Sequence, residues 1–267
     1  MTSSNTSIND LAAALNVAQP HARIDGKVQR VAYRNYDNAA PAASINTSAV
    51  DLAQYARLYL KDGHFGDQAL LAPEPAAELV KAQTIIPIDP RPPELQALTP
   101  KFYAYGLGWF LRDYRGRKLI MHTGGVDGMT ALLALVPEEQ AGVVVLANQE
   151  EALIGATCYH ILDVLFGETD TDWFAAYQAW RPKFLQEQTA LRDKVIESRR
   201  AGTSSSLAPG AYAGTYRDVL YGEATLVTFP LTPGAQIDEM KFDQSKLLDA
   251  DFAELNFRRM ADQAEAH

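Results

Sequence analysis

The sequence of residues 105–148 is YGLGWFLRDYRGRKLIMHTGGVDGMTALLALVPEEQAGVVVLAN, and this stretch decides the fold. It contains four short runs rich in aromatic, β-branched and aliphatic side chains: Tyr105 to Leu111, Lys118 to His122, Thr130 to Val136, and Val143 to Asn148. The connections between these runs carry turn-forming residues and are short enough for hairpins. Four strands joined in this way predict an antiparallel meander.

The chain upstream of the meander shows weaker signals. Residues 1–46 are rich in Ser, Asn, Ala and Pro, which indicates mostly irregular chain draped over a neighbouring surface. Ser48 offers a capping side chain to an amphipathic helix over Ala49 to Leu60. A proline-initiated short helix is predicted over Pro73 to Thr84, and the five prolines between Pro87 and Pro100 predict a loop.

Downstream of the meander, the pattern returns to a helical period. Asp172 to Arg200 predicts a long, charged helix, and Ala152 to Phe166 predicts a helix that packs back onto the sheet. The residues of that second helix that we expect on one face are Leu153, Ala156, Thr157, His160, Ile161, Val164 and Leu165. The predicted fold class is α+β, an antiparallel β-meander packed with helices.

A small β-rich appendage is predicted at the carboxyl end. A Ser-rich linker at 201–209 precedes β-like alternation over 210–242 and 251–260. We therefore expect three parts: a meander domain over residues 1–167, a helical connector and linker over 168–209, and the small β-rich domain over 210–267.

Composition excludes several classes of function. The 267 residues carry a formal net charge of −9 and a pI near 5.1, which argues against nucleic-acid partners and anionic membranes. No apolar stretch approaches the ~20 residues that span a bilayer, and no secretory signal is recognised, so we expect a cytoplasmic protein. The single cysteine, Cys158, lies in an apolar helical run, which favours a buried structural thiol over a nucleophile.

The candidate site is the tetrapeptide His122-Thr123-Gly124-Gly125, which closes an apolar run and opens a glycine-rich turn. Two adjacent glycines let the backbone approach a ligand without an intervening side chain, so a main-chain N–H can point at a developing oxyanion. The tetrapeptide alone is also compatible with an ordinary hairpin loop. No Ser-x-x-Lys and no Gly-x-Ser-x-Gly occur in the sequence.

Several segments, in order along the chain, resemble the serine β-lactamase and penicillin-binding-protein superfamily, especially its esterase-like and D-aminopeptidase-like branches. His122-Thr123-Gly124-Gly125 stands where those proteins carry Lys-Thr-Gly or His-x-Gly. The other matching segments are Ala42 to Ala53, Tyr105 to Trp109, the hairpin and closing strand up to Asn148, Tyr212 to Tyr216, and Met240 to Phe242. The last two resemble a β-rich carboxyl-terminal extension of some members.

The resemblance implies roles for the site residues. A serine would attack an amide or ester carbonyl, and Gly125 N–H, together with the serine's own N–H, would hold the oxyanion. Thr123 and Gly124 would bind the substrate, Thr123 through a hydrogen bond. His122, as a catalytic residue, would take the place of the family lysine and either donate to a substrate carboxylate or tune the proton-transfer network. Because the charge of a histidine depends on pH, we expect small esters, amides or peptides rather than β-lactams as substrates.

The resemblance also implies a missing element. The family's Ser-x-x-Lys segment and its Tyr-x-Asn or Ser-x-Asn element precede the segment with which this sequence starts, so we expect about the first half of the catalytic domain to be absent. Tyr33-Arg34-Asn35 spells Tyr-x-Asn but lies on the wrong side of that boundary, and we interpret it as coincidence.

Two hypotheses follow. The chain is either one part of a serine hydrolase, inactive until a complementary chain supplies the nucleophile, or a non-enzymatic remnant that binds a ligand or protein partner. In both cases the helix over Ala49 to Leu60 and one sheet edge should be exposed and should promote self-association. No cofactor is expected, and the five scattered histidines show no spacing typical of a metal site.

Overall fold

A computed structural model of the chain describes residues 1–11, 14, 16–24, 26–150 and 153–198, together with three short strands in the carboxyl-terminal region. The described residues belong to two compact units, Met1–Asp193 and Lys194–His267. The finer division of the chain at residues 167 and 209 stays a prediction.

The helices of the described chain are α1 (Ile8–Leu11), α2 (Ala40–Ala43), α3 (Ala49–Leu60), α4 (Pro73–Leu79), α5 (Ile154–Phe166) and α6 (Trp173–Glu197). Short 3-10 helices occupy Asp37–Ala39, Pro93–Leu98 and Pro137–Glu139, and the second is kinked at Leu95. The predicted helices at α3, α5 and α6 are confirmed. Ser48 caps α3 as expected, because its side chain accepts a hydrogen bond from Asp51 N–H.

The strands of the first unit are β1 (His21–Ile24), β2 (Lys27–Arg30), β3 (His64–Phe65), β4 (Gln68–Ala69), β5 (Thr84–Ile85), β6 (Tyr103–Tyr105), β7 (Phe110–Tyr114), β8 (Arg117–Val126), β9 (Met129–Val136) and β10 (Ala141–Ala147). Strands β5 to β10 form one antiparallel sheet in the order β10-β9-β8-β7-β6-β5. The meander and the α+β class are therefore confirmed.

Alternating residues of the central strands serve two cores, one on each face of the sheet. Leu119 faces a cluster that includes helix α5 and Trp173, whereas its neighbour Ile120 faces a cluster that includes helix α3 and Trp109. On β9 the same alternation separates Leu132 from Leu133. The sheet is thus covered on both faces, and its central strands are the most deeply buried part of the unit.

The buried face of α5 differs from the predicted one. The structure buries Ala156, Cys158, Tyr159, Leu162 and Asp163. Ile161, Val164 and Leu165, which were expected to pack on the sheet, are 37%, 59% and 53% exposed. The prediction was wrong because α5 carries apolar residues around most of its circumference, so the sequence alone does not identify which stripe meets the sheet.

Asp163 explains which face of α5 meets the sheet. Its carboxylate is 2% exposed and accepts hydrogen bonds from Tyr114 Oη at 2.5 Å, Arg115 Nε at 2.7 Å and Trp173 Nε1 at 2.7 Å. Burial, and then the hydrogen bond to Asp163, raise the pKa of the Tyr114 hydroxyl. One acidic residue therefore ties α5 to the β7–β8 turn and to the start of α6.

Other boundaries also differ from the sequence predictions. The run predicted from Tyr105 to Leu111 is split between β6 and β7, and the helix that begins at Pro73 ends at Leu79. The first 46 residues contain the unpredicted hairpin β1–β2, and a 3-10 turn at Pro93–Leu98 interrupts the proline-rich loop. These elements are short, so their patterns fall below what periodicity can detect.

The second unit contains a three-stranded antiparallel sheet. Its strands are β11 (Gly214–Asp218), β12 (Gly222–Leu226) and β13 (Arg258–Arg259), in the order β12-β11-β13. These strands lie within the two stretches for which β structure was predicted. The predicted linker at 201–209 and the segment Met240 to Phe242 lie outside the described residues.

Candidate functional site

The four candidate residues lie inside strand β8, and not in a turn. β8 continues through Gly124 and Gly125 to Val126, and the turn to β9 consists of Asp127-Gly128 alone. The predicted glycine-rich turn at 124–128 is therefore wrong by three residues. Two glycines in a strand still allow close approach of a ligand, and a strand fixes the direction of their N–H groups better than a loop does.

The β7–β8 hairpin shows which main-chain groups of β8 face β7. Its two-residue turn, Arg115-Gly116, has positive φ at both positions, 47° and 77°, as hairpins of this type require. In such a hairpin the residues flanking the turn, Tyr114 and Arg117, form a hydrogen-bonded pair. Hydrogen-bonded positions alternate along a strand, so the N–H and C=O groups of Leu119 and Met121 also face β7.

The β8–β9 hairpin independently gives the same assignment of which residues of β8 direct their main-chain groups toward β9. Its turn, Asp127-Gly128, places Val126 opposite Met129, and these two residues must be the hydrogen-bonded pair. Alternation back along β8 then directs the main-chain groups of Gly124 and His122 toward β9. Both hairpins therefore agree on the orientation of every peptide group in β8.

The main-chain groups of Thr123 and Gly125 consequently point away from β9. They face the side on which β7 pairs with the earlier residues of β8, 117–121. The register of β7 against β8 ends at the pair Phe110 and Met121, so no described strand lies beside residues 122–126 on that side. Thr123, Gly124 and Gly125 are exposed. We call residues 122–126 the open rim. The N–H groups of Thr123 and Gly125 lie along its unpaired edge.

The space around the two glycines differs from that around Gly128. A Cβ added to Gly125 meets nothing within 4 Å, and one added to Gly124 meets only the Ala131 Cβ at 3.8 Å. A Cβ on Gly128 would lie 2.6 Å from His21 N and 2.7 Å from Pro20 Cβ, and the φ of Gly128 is +74°. Glycine is thus required by the fold at 128, whereas at 125 the fold leaves room.

His122 is held by three neighbours. Its Nδ1 lies 2.6 Å from the Thr123 carbonyl oxygen, and its Nε2 lies 3.1 Å from the Tyr105 hydroxyl. The Phe110 ring stacks on the imidazole with centroids 5.2 Å apart and an interplanar angle of 29°. The imidazole is therefore fixed at the start of the open rim.

The tip of the β8–β9 hairpin is fixed by the amino-terminal part of the chain, as the predicted draping of that segment requires. His21 N–H donates to the Gly128 carbonyl at 3.0 Å, and Arg34 forms an ion pair with Asp127 at 2.8 Å. Gly128 N–H donates to Glu150 Oε1 at 2.9 Å. These contacts hold the far end of the open rim and so limit its motion.

Sequence reasoning missed Tyr105 and Phe110 as members of the site. Both are placed by the tight β6–β7 connection, in which Gly106 N–H donates to the Trp109 carbonyl at 2.8 Å and Gly108 has φ of +89°. The alternation of Tyr103 and Tyr105 was a visible signal of a strand face. Its relation to His122 depends on the β7–β8 register, which the sequence does not reveal.

The Tyr-x-Asn triplet at 33–35 is engaged in local contacts. The Tyr33 hydroxyl donates to the Ala18 carbonyl, Arg34 holds Asp127, and the Asn35 side chain accepts from Asp37 N–H at 2.7 Å. Among the described residues, no group of three or more His, Cys, Asp or Glu side chains is arranged to hold a metal ion. No helix in the described part of the chain is both long and apolar enough to cross a bilayer.

Comparison with known families identifies the class of protein. The sequence model of the Beta-lactamase family matches residues 4–157, which is more than half of the chain. The chain therefore belongs to the β-lactamase family, and its first unit is a hydrolase-like domain of that family. The matched range ends within α5, so it includes the whole meander and the open rim.

Two curated relatives are fungal hydrolases. The chain is 33% identical over 165 residues to the unguisins hydrolase ungD of Aspergillus violaceofuscus, a match that covers 57% of this chain and 27% of the relative. It is 25% identical over 209 residues to the unguisins hydrolase ungD' of Aspergillus campestris, with 74% of this chain and 36% of the relative covered. The chain thus matches only about a third of the length of these relatives.

A solved structure supports the fold. The octameric penicillin-binding protein homologue from Pyrococcus abyssi superimposes with a TM-score of 0.51 at 19% sequence identity. The match covers 63% of this chain and 35% of that chain. At this identity the similarity shows the fold alone, and it agrees with a partial β-lactamase-like architecture.

Proposed function

We propose that this chain supplies the oxyanion-holding wall of a serine hydrolase that cleaves amide or ester bonds through an acyl-enzyme. We further propose that the chain does not turn over substrate by itself, because its sequence contains no Ser-x-x-Lys nucleophile. The observation that carries this proposal is the open rim, whose outward N–H groups lie on a strand edge that no described strand covers.

Gly125 N–H is the proposed oxyanion donor. It projects from the unpaired edge, its residue is exposed, and a Cβ at this position would meet nothing within 4 Å, so a substrate carbonyl can approach the main chain closely. The neighbouring Gly124 turns its own peptide groups toward β9 and keeps the strand in register. An N–H fixed by a sheet needs little reorganisation when negative charge develops on the substrate oxygen.

Thr123 and His122 are the proposed substrate-binding residues. Thr123 is exposed on the rim, with main-chain groups that face the same side as those of Gly125. His122 occupies the start of the rim and is oriented by Tyr105 and Phe110. Together these residues form one wall for a small ester, amide or peptide, and the opposite wall must contribute the attacking hydroxyl.

The contribution of a serine nucleophile to turnover is so large that the chain without one should be inactive by itself. Loss of a serine nucleophile lowers turnover by about a millionfold, and the remaining oxyanion hole and binding groups recover only a small part of it. The serines of this chain lack a basic residue at the family's spacing. We therefore expect only the binding part of the reaction from the isolated chain.

The most direct test of the role of Gly125 uses a chimera. In the Aspergillus violaceofuscus relative, the segment that matches this chain is replaced by the corresponding residues of this chain. Because that relative is named for hydrolysis of unguisins, these compounds are the first substrates to assay. We expect the chimera to hydrolyse unguisins, and Gly125→Pro, which removes the N–H, to lower kcat by about 100- to 1,000-fold.

The matched control is Gly125→Ala, which keeps the N–H and places a Cβ where nothing lies within 4 Å. The Gly125→Ala chimera should be nearly as active as the chimera with Gly125, whereas the Gly125→Pro chimera should not. Equal activity of the proline and alanine variants would rule out Gly125 N–H as the oxyanion donor. A properly folded chimera without hydrolase activity would favour the alternative, a remnant that binds a ligand or protein partner.

A second experiment tests the inactivity of the chain alone. The purified chain is treated with a fluorophosphonate and with a reporter penicillin, and its intact mass is measured. We expect no stoichiometric adduct, because no serine is activated. A stoichiometric mass increase located on one serine would show that the chain carries its own nucleophile.

We also propose that the first unit associates with other polypeptides through its apolar surface. On β10, the edge away from β9 is unpaired among the described strands, and α5 above it exposes Ile161, Val164 and Leu165. Val50 on α3 is 71% exposed. Sedimentation at micromolar concentration should therefore show dimers or larger species, and a compact monomer would contradict this expectation.

A further inference from the structure

Both ring nitrogens of His122 are engaged, and their partners determine where the proton lies. The Thr123 carbonyl oxygen can only accept, so Nδ1, 2.6 Å away, must carry the hydrogen of that bond. In the neutral imidazole Nε2 then has the lone pair, and the Tyr105 hydroxyl at 3.1 Å donates to it. The contacts therefore select one tautomer, with the proton on Nδ1.

Three rings make this arrangement rigid. Tyr105 and Phe110 are directly paired across β6 and β7, and their rings meet edge to face with centroids 4.8 Å apart. Phe110 in turn stacks on His122 at 5.2 Å. A Cβ on Gly106 would lie 2.6 Å from the Leu79 carbonyl oxygen, so the connection after Tyr105 cannot shift easily. The hydroxyl of Tyr105 is thus placed by main-chain geometry and by packing.

We propose two roles for Tyr105: it positions the His122 ring, and its hydroxyl, instead of that ring, binds a substrate carboxylate when the imidazole is protonated. This inference rests on the proposed function. In the neutral state Nε2 accepts from Tyr105, so His122 presents no N–H to a substrate. The sequence-based expectation that His122 directly replaces the family lysine therefore needs this intermediate residue.

Protonation reverses the direction of the bond without breaking the pair. When Nε2 takes one proton from solvent, it becomes a donor and can only donate to the Tyr105 oxygen. The hydroxyl hydrogen of Tyr105 then rotates away from His122 and becomes available to an acceptor on the substrate. One proton enters, no bond between heavy atoms changes, and the positive charge stays on the imidazolium behind the hydroxyl.

The charged groups on the strands around His122 are engaged elsewhere. Arg112 on β7 bonds the Leu98 carbonyl, and Asp113 accepts from Lys101 N–H at 2.6 Å. On β8 itself, Arg117 pairs with Glu139 at 2.5 Å and Lys118 donates to the Val80 carbonyl at 3.3 Å. β6 and β9 carry no charged side chain. Each of these charged groups therefore has a partner other than His122, whose own ring nitrogens contact the Thr123 carbonyl and the Tyr105 hydroxyl.

Nuclear magnetic resonance of the full chain, with ¹⁵N in its histidine rings, tests this assignment without any turnover. Signals of His122 are identified by their loss in His122→Asn. In the neutral imidazole, we expect Nδ1 protonated and Nε2 unprotonated but hydrogen-bonded. In Tyr105→Phe, the Nε2 resonance should move to the position of an imidazole nitrogen without a hydrogen bond, while Nδ1 stays protonated.

The matched control is Tyr103→Phe, on the same strand, whose ring also stacks on Phe110, with centroids 5.8 Å apart. It should leave the His122 signals unchanged. Protonation of Nε2 in the neutral native chain would overturn the assignment, and so would equal spectra for native chain and Tyr105→Phe. A shift of the same size in both tyrosine variants would reduce Tyr105 to a packing residue.

The hydrolase chimera separates this inference from the proposed function. For a carboxylate-bearing ester, assayed in acid so that the imidazole is protonated, Tyr105→Phe should raise KM by about tenfold with little change in kcat, and an uncharged ester should be unaffected. A chimera without activity, together with the expected ring spectra, would refute the proposed function and leave the Tyr105–His122 pair intact. Unchanged KM for the charged ester would refute the carboxylate role.

Discussion

The two halves of strand β8 differ in almost every physical respect. Residues 117–121, the inner half, are all paired with β7, and residues 120 and 121 are also paired with β9. Leu119 and Ile120 are 1% and 3% exposed. Residues 122–126, the outer half, are paired with β9 alone, and Thr123, Gly124 and Gly125 are exposed. One strand therefore contributes both a buried core and an exposed rim.

This difference shows how a rim can be accessible and still ordered. The inner half is fixed by β7 along its whole length, by β9 at residues 120 and 121, and by side chains buried on both faces of the sheet. The outer half continues the same strand and therefore keeps its direction. The hairpin tip is then held by His21, Arg34 and Glu150. Accessible N–H groups between two fixed ends suit a preorganised oxyanion site.

The largest expected effect separates the stabilities of the two halves. Leu119→Ala removes a buried side chain from the inner half and should lower the free energy of unfolding by about 3 kcal/mol. Thr123→Ala in the outer half should change it by no more than about 0.5 kcal/mol. Denaturant unfolding monitored by tryptophan fluorescence measures both values. Similar losses for the two variants would mean that the outer half is as integral to the core as the inner half.

A smaller effect distinguishes the rim glycines from the turn glycine. Gly128→Ala should destabilise the chain by about 2 kcal/mol, because its φ is +74° and the new Cβ would lie 2.6 Å from His21 N. Gly125→Ala should be within about 0.5 kcal/mol of the native chain, since its Cβ enters open space. A large loss for Gly125→Ala would show that this glycine is required by folding.

Acid should loosen the amino-terminal segment before it affects the inner half. The Ser4 hydroxyl is the main cause that lowers the pKa of Asp51; burial opposes it, and Ser3 N–H adds to the lowering. The folded pKa lies below the ordinary value, so the stabilisation is present at neutral pH and is lost as pH falls through the lowered pKa. The protection of the Ser3 amide, meaning its slowing relative to an unstructured peptide at the same pH, should therefore fall below about pH 4, while the protection of Leu119 stays.

The control for this acid effect is Asp51→Asn, which should leave the Ser3 amide with little protection at neutral pH and no further loss of protection in acid. If the protection of Ser3, corrected for the intrinsic rate at each pH, is the same at pH 3 and pH 7 in the native chain, Asp51 does not hold this segment.

The smallest expected signal comes from the cysteine beneath the inner half. Cys158 is 0% exposed, and burial raises the pKa of its thiol to about 12. Almost no thiolate exists at pH 8, so alkylation by iodoacetamide should be negligible in the folded chain and rapid after denaturation. Rapid alkylation of the folded chain would show that α5 opens away from the sheet.

Much of this comparison was accessible from the sequence. The β-rich runs at β8, β9 and β10 are separated by turn residues, and the helical patterns over α3, α5 and α6 are long enough to detect. The tetrapeptide from His122 to Gly125 was identified as a candidate, and the family was recognised from segments in order. Their roles in catalysis stay a proposal.

Three features could not be predicted from the sequence. The extension of β8 through Gly124 and Gly125 was missed because glycine normally weakens a strand and favours a turn. The buried face of α5 was predicted incorrectly because one buried carboxylate, Asp163, outweighs its apolar periodicity. The contact between Tyr105 and His122 depends on strand register, which pairs residues 17 positions apart.

Amide hydrogen exchange, resolved by residue along β8, tests most directly whether the rim presents free donors. We expect Leu119 and Met121 to exchange most slowly, His122 and Gly124 to show intermediate protection from their bonds to β9, and Thr123 and Gly125 to exchange rapidly. An alternating pattern over residues 122–125 would support the orientation on which the oxyanion role of Gly125 depends. Equal protection of Gly124 and Gly125 would contradict it.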